Sequence, residues 1–191
     1  MKTFSLTDSM KRSRRSVVFA MFILSLLALT QPACRDAGDA CPTVVYLVRH
    51  AEKATSADNN PPLSEAGVRR AEALARTLGD AGVMAIYTTQ FKRTTDTAAP
   101  LSARSGIAVT QLEVNHDNPQ AYVEQLARDI TAKHGGKTVL VVSHSNTLPL
   151  IVERLSGKPV TAIRDDEYAN LFVVTLPAQG AAATVRAQYG E

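Results

Sequence analysis

Two short β-branched runs, each ending at a histidine, restrict the fold of this chain more than any other feature. The first is Thr43-Val44-Val45-Tyr46-Leu47-Val48, followed by Arg49-His50. The second is Thr138-Val139-Leu140-Val141-Val142, followed by Ser143-His144. Strands buried on both faces read as near-continuous apolar runs, a pattern of parallel sheets covered by helices. In such open sheets, ligands bind beyond the carboxyl ends of the strands. Two imidazoles delivered to that edge, with Arg49 beside the first, imply chemistry on an anion.

The segments around these runs alternate between helical and extended patterns. Ser64 is a good N-cap for a helix from about Glu65 to Leu78, with Val68, Ala71, Leu74, Ala75 and Leu78 on its buried face. Gly79 and Gly82 end it. A strand over Val83–Tyr87 follows, then a helix over Lys92–Ser105 interrupted by Pro100, and a short strand over Ile107–Thr110. Gln120–Lys133 reads as an amphipathic helix with Tyr122, Val123, Leu126 and Ile130 inward. The strand Lys137–Val142, a helix Leu148–Leu155 and two last strands, Leu171–Leu176 and Ala183–Ala187, complete the chain. This order predicts the α/β class: a three-layer α/β/α sandwich with a mostly parallel central sheet and helices on both faces.

The amino-terminal stretch has a different character. Lys11, Arg12, Arg14 and Arg15 precede an apolar core over Val17–Leu29 and a small, polar region at Thr30–Cys34. The core is too short to span a bilayer comfortably, and residues 1–34 are expected to be an export signal. If Cys34 carries a lipid, the signal is of the lipoprotein type. The expected location is therefore outside the cytoplasm, periplasmic or membrane-anchored, with membrane contact only through the signal or a lipid on Cys34. Residues 35–42 form a polar linker, and 43–191 the folded domain. Five of the 21 Lys and Arg lie in the first 34 residues, against one of the 18 acids. The remainder is close to neutral, so composition gives no reason to expect a nucleic-acid partner. The two cysteines, Cys34 and Cys41, stand before the first strand, and export makes a bridge between them feasible. No His/Cys pair has zinc-like spacing, and neither a metal nor a cofactor is expected.

The motifs then converge on one family. Arg49-His50 follows the first strand, Arg93-Thr94 with Thr97-Ala98 follows the second, and Ser143-His144 follows the last parallel strand. Pro62-Leu63-Ser64-Glu65-Ala66-Gly67 and Leu140-Val141-Val142-Ser143-His144-Ser145-Asn146 connect them. In this order the chain resembles the compact branch of the histidine phosphatase (phosphoglycerate mutase-like) superfamily, from about Val44 to Val174. Ala51 stands where many relatives carry glycine.

The resemblance implies a phosphomonoester hydrolase that needs no metal. His50 would be the nucleophile and pass through a phosphohistidine. Arg49 and Arg93 would grip phosphate oxygens through their planar donor forks. His144 would donate to the phosphoryl group in transfer, and a phosphorylated small molecule would be the substrate. Glu52 would orient the nucleophile or shape the substrate pocket. The proton donor to the leaving group is expected in the loop Leu112–Pro119, with Asp117 first and Glu113 and His116 as alternatives. A non-catalytic phosphate-binding module of the same fold and a mutase-type phosphotransferase are the other readings. The four-residue set and the compact chain, with no long covering insertion, favour hydrolysis. His134, beside Gly135-Gly136 at a helix end, is expected to be structural, partly positive and stabilised by the helix dipole.

Overall fold

The computed structural model describes residues 41–115 and 117–190. The expected export signal over 1–34, most of the linker, the lipid on Cys34 or its bridge to Cys41, and His116 lie outside these residues.

The two β-branched runs form β1 (Thr43–Arg49) and β4 (Thr138–Ser143). They pair in parallel at the centre of a six-stranded sheet. With β2 (Val83–Thr88), β3 (Val109–Gln111), β5 (Asn170–Leu176) and β6 (Ala183–Gln188), the order is β3-β2-β4-β1-β5-β6. The first four strands run parallel, while β5 is antiparallel to β1 and β6 to β5.

Alternation along the strands divides the core in two. Val45, Leu47, Val139 and Val141 pack with α3 (Pro119–Lys133) and α4 (Leu148–Ser156), through Tyr122, Val123, Leu126, Ile130, Leu148, Ile151 and Val152. Val48, Ile86, Leu140 and Val142 pack with α1 (Glu65–Thr77) and α2 (Lys92–Ser105), through Leu74, Ala75, Ala98 and Leu101. The three-layer sandwich follows directly: the central strands β1 and β4 bury residues on both faces, so each face of the sheet needs a pair of helices.

Three local expectations are corrected. Val68 is 52% exposed, not part of the buried face of α1. Gly67 takes the inward place, because α1 meets the loop after β1 there, backbone to backbone. A Cβ on Gly67 would overlap the carbonyl of Glu52. Pro100 does not interrupt α2, which runs unbroken to Ser105. A mid-helix proline forfeits one hydrogen bond, and burial of Ala98 and Leu101 on either side outweighs that loss. The short strand β3 begins at Val109 rather than Ile107, since its partners are Ile86, Tyr87 and Thr88.

Capping ties the helices to the loops. Ser64 accepts from the backbone of Gly67, and Asn118 from that of Ala121. Phe91, at the N-cap of α2, gives no side-chain cap. Asn60 from the loop before α1 accepts from Lys92 N instead, at 2.9 Å. This fastens the 54–62 loop to the start of α2.

Candidate active site

Register brings the imidazoles together. Arg49 on β1 faces Ser143 on β4, and the pairing runs one step further, with His50 N donating to the Ser143 carbonyl at 2.9 Å. His50 and His144 are therefore neighbours at the carboxyl edge of the sheet. Their ring centroids are 5.4 Å apart.

The His50 ring is held in one protonation state. Its Nδ1 lies 2.8 Å from the carbonyl of Ala51. A carbonyl only accepts, so the proton sits on Nδ1 and Nε2 keeps its lone pair. Burial lowers the pKa of His50 to about 4 against the opposing pull of the Ala51 carbonyl, with Arg93, Arg49 and Lys53 also opposing protonation. Ala51 is itself buried, and its N–H donates to Thr97 Oγ1 at 2.9 Å. Thr97 in turn donates to the Arg93 carbonyl. The start of α2 thus braces the loop that carries His50.

Two guanidiniums flank this centre. Arg49 is buried, and its Nη1 donates to the carbonyls of Arg164, Asp165 and Glu167 at 2.9, 3.0 and 3.3 Å. Its Nε is buried with no hydrogen-bond partner among the described residues. A buried donor left unpaired is costly, and an anion oxygen would satisfy it. Arg93 is half-buried; burial and the nearby Arg49 lower its pKa. It remains cationic, as arginines do. Each guanidinium rests on an aromatic face: Arg49 lies 4.2 Å from the Tyr168 ring centroid, and Arg93 4.2 Å from that of Phe91. The same rings meet the imidazoles, Phe91 against His144 at 5.4 Å and Tyr168 near His50 at 6.2 Å. Two positive charges, one unprotonated imidazole nitrogen and an orphan donor stand close enough to act on one another, a combination suited to an anion.

A hydroxyl network fixes the backbone around His144. Tyr122 OH lies 3.2 Å from Ser143 Oγ, which lies 2.8 Å from Thr147 Oγ1. Thr147 Oγ1 accepts from His144 N at 3.2 Å. Burial pushes the Tyr122 phenol up to about 12, although the Ser143 contact opposes this, so Tyr122 stays a neutral member of the network.

The remaining sequence candidates lie elsewhere. Burial alone would raise the Glu52 pKa, but Arg70 holds it below its ordinary value. The Glu52 carboxylate is taken by Arg70, with Nε at 2.9 and 3.0 Å and Nη2 at 2.8 Å. The carboxylate is thus committed to α1, and none of the described contacts joins it to His50. Glu113 and Asp117 are exposed, and none of the described contacts joins either carboxylate to the imidazole pair. The Gln90 amide pins their loop by bonding both backbone groups of Val114 at 3.0 Å. His134 is structural but not positive. Its Nε2 pairs with Tyr87 OH at 2.9 Å, and burial, with Lys137 and Lys133 nearby, lowers its pKa.

Sequence reasoning missed Phe91, Tyr168 and Thr89. Phe91 and Thr89 precede Arg93 in the readable β2–α2 turn. Tyr168 arrives from the antiparallel side, just ahead of β5, with no motif to mark it.

The family model of the histidine phosphatase superfamily (branch 1) matches residues 45–117 and 114–189. The chain belongs to that superfamily. Among solved structures, the chain is similar to a proposed α-ribazole-5′-phosphate phosphatase of Escherichia coli, at 18% identity and TM-score 0.61, covering 76% of this chain and 96% of that one. It is similar to the mycobacterial glucosyl-3-phosphoglycerate phosphatase, at 16% identity and TM-score 0.56, covering 70% and 90%. It is also similar to a proposed phosphohistidine phosphatase, SixA, of Nakamurella multipartitia, at 22% identity and TM-score 0.56, covering 79% and 98%. At these identities the likeness is one of fold. No curated protein matches the chain in sequence.

Proposed function

We propose that this histidine phosphatase hydrolyses a phosphomonoester of a small molecule, without a metal, through a phosphohistidine on His50. The supporting observation is the His50 ring itself. Nδ1 is pinned to the Ala51 carbonyl, so Nε2 holds a lone pair at neutral pH between two guanidiniums. In the first step that lone pair attacks phosphorus, the ester P–O bond breaks, and the leaving oxygen takes a proton. In the second, water attacks phosphorus, the P–N bond breaks, and inorganic phosphate leaves with Nε2 restored. Arg49 and Arg93 stabilise the equatorial oxygens in both steps, joined by His144 through Nδ1–H when its ring is an imidazolium. The charge on these side chains is sufficient, so no step calls for a cation.

Leaving-group protonation is assigned to the loop over 112–119, with Asp117 first and Glu113 and His116 behind it. The phosphatase names of the similar structures support a phosphorylated small molecule as substrate. The amino-terminal segment supports a place outside the cytoplasm, which cell fractionation would test.

Phosphate release from an aryl phosphate by the purified protein is the direct test, with and without chelator and beside His50→Ala. Turnover should survive chelation and vanish in the variant. Folded protein that binds phosphate through Arg49 and Arg93 yet turns nothing over would make it a binding module instead.

A further inference from the structure

The ring of His144 is held by a chain of hydroxyls whose proton directions follow from counting. Thr89 and Thr94 are both fully buried. Thr94 Oγ1 lies 2.7 Å from the Phe91 carbonyl oxygen. Two oxygens at that distance repel unless a hydrogen lies between them, and a carbonyl has none to give. The Thr89 carbonyl lies 3.1 Å from the same hydroxyl, so Thr94 spends its single proton on a carbonyl in either case, with Phe91 the nearer. Thr89 Oγ1 lies 2.9 Å from Thr94 Oγ1, so the proton in that contact must come from Thr89. His144 Nε2 lies 3.0 Å from Thr89 Oγ1, whose proton is already committed. The hydrogen in this last contact must come from the imidazole.

From this count we propose that Thr89 is a positioning residue: it holds His144 with a proton on Nε2, through a relay that runs Nε2–H to Thr89, Thr89 to Thr94, and Thr94 to the carbonyl of Phe91. The relay sets both the tautomer and the plane of the second imidazole, 5.4 Å from His50. Phe91 closes the arrangement, because its backbone oxygen ends the relay while its ring meets the edge of His144 and carries Arg93. The loop between β2 and α2 thus aligns one imidazole and one guanidinium together.

The inference rests on the phosphatase reading only where activity is measured. Proton–nitrogen correlation spectra of protein with ¹⁵N-labelled histidine give the tautomer with no substrate present. His144 in the native chain should show the proton on Nε2. In Thr89→Val the fixed tautomer should be lost, and kcat for an aryl phosphate should fall at least about tenfold, with KM changing less, as expected for a displaced reacting group. Thr89→Ser, which restores the hydroxyl, should recover kcat to within about threefold. Thr94→Val frees the Thr89 proton to point at His144, so a second tautomer should appear with a smaller fall in kcat. A native spectrum with the proton on Nδ1 alone would overturn the proposal. Thr89→Val with the native tautomer and unchanged kcat would do the same. Should Thr89→Val fail to fold, the native and Thr94→Val spectra still decide. Loss of the proposed tautomer beside intact, His50-dependent turnover would sink the relay and leave the phosphatase reading standing.

Discussion

The floor of the site and its rim are built on opposite principles. Arg49, His50, Thr89, Thr94, Ser143 and His144 form the floor; all are buried and lie at strand ends, in the turn after β2 or in the first turn of α2. The rim comprises the 54–62 loop and the 112–118 loop, whose polar side chains mostly face solvent; Asn60 and Gln90 are the side chains that tie them to the turn and helix after β2. Floor residues are over-determined, each fixed by partners from other elements. A rim residue can change without disturbing the imidazole pair. In such a molecule the floor sets what reaction is run, and the rim decides what molecule is admitted.

The contrast predicts a descending series of effects. His50→Ala removes the nucleophile, and turnover should fall at least about a thousandfold; loss of less than tenfold would show that the floor does not carry the reaction. Arg49→Lys comes next. Lysine cannot bond three loop carbonyls, stack on Tyr168 and still offer a fork to an anion. A fall of roughly a hundredfold in kcat/KM, about 3 kcal/mol of transition-state stabilisation, is expected. An active, tightly binding lysine variant would place Arg49 outside the reaction.

Acid should find the floor before the rim. His50 has its pKa lowered to about 4 from 6.5. Above pH 6.5 the ring is neutral in both folded and unfolded chains, and its contribution to stability is fully present. Between 6.5 and 4 the unfolded chain binds a proton that the folded chain does not, so stability falls as pH falls. The loss through this window is roughly 3 kcal/mol. Urea unfolding at pH 4 and pH 7 should show that slope in the native chain and a shallower one in His50→Asn. Equal slopes would mean that the ring is not buried neutral.

At the rim, Asp117→Asn should alter aryl phosphate hydrolysis by less than about threefold, because that leaving group departs without a proton. The same change should cost up to about tenfold with an alkyl phosphate. A large loss on both substrates would move Asp117 from the rim to the floor.

Legibility in the sequence follows the same division. Arg49, His50 and His144 could be located because each lies within two residues of the end of a run whose apolar character already fixed it as a buried strand. Their pairing needed only the register of β1 on β4. The partners that restrain them could not be read. Three of the bonds to Arg49 go to backbone carbonyls of 164–167, and a carbonyl looks the same at every position of a sequence. Tyr168 reaches Arg49 from far down the chain, across an antiparallel pairing. Glu52 stood beside the nucleophile in sequence, yet Arg70, one helix away, claims its carboxylate. Val68 had the right period for burial, but contact between Gly67 and the Glu52 backbone turns it outward. Proximity along the chain misled in these cases because close packing is settled between elements.

The place of β1 has a consequence for the order of events during synthesis. The strand that leads to His50 is made early, but both of its hydrogen-bonding edges belong to late segments: Val44 faces Thr138 on one side and Thr175 on the other. A growing chain therefore carries a buried central strand unpaired until most of these residues have left the ribosome. Pairings of such wide separation form slowly and expose sticky edges meanwhile. The His50–His144 pair consequently cannot form before β4 has been made.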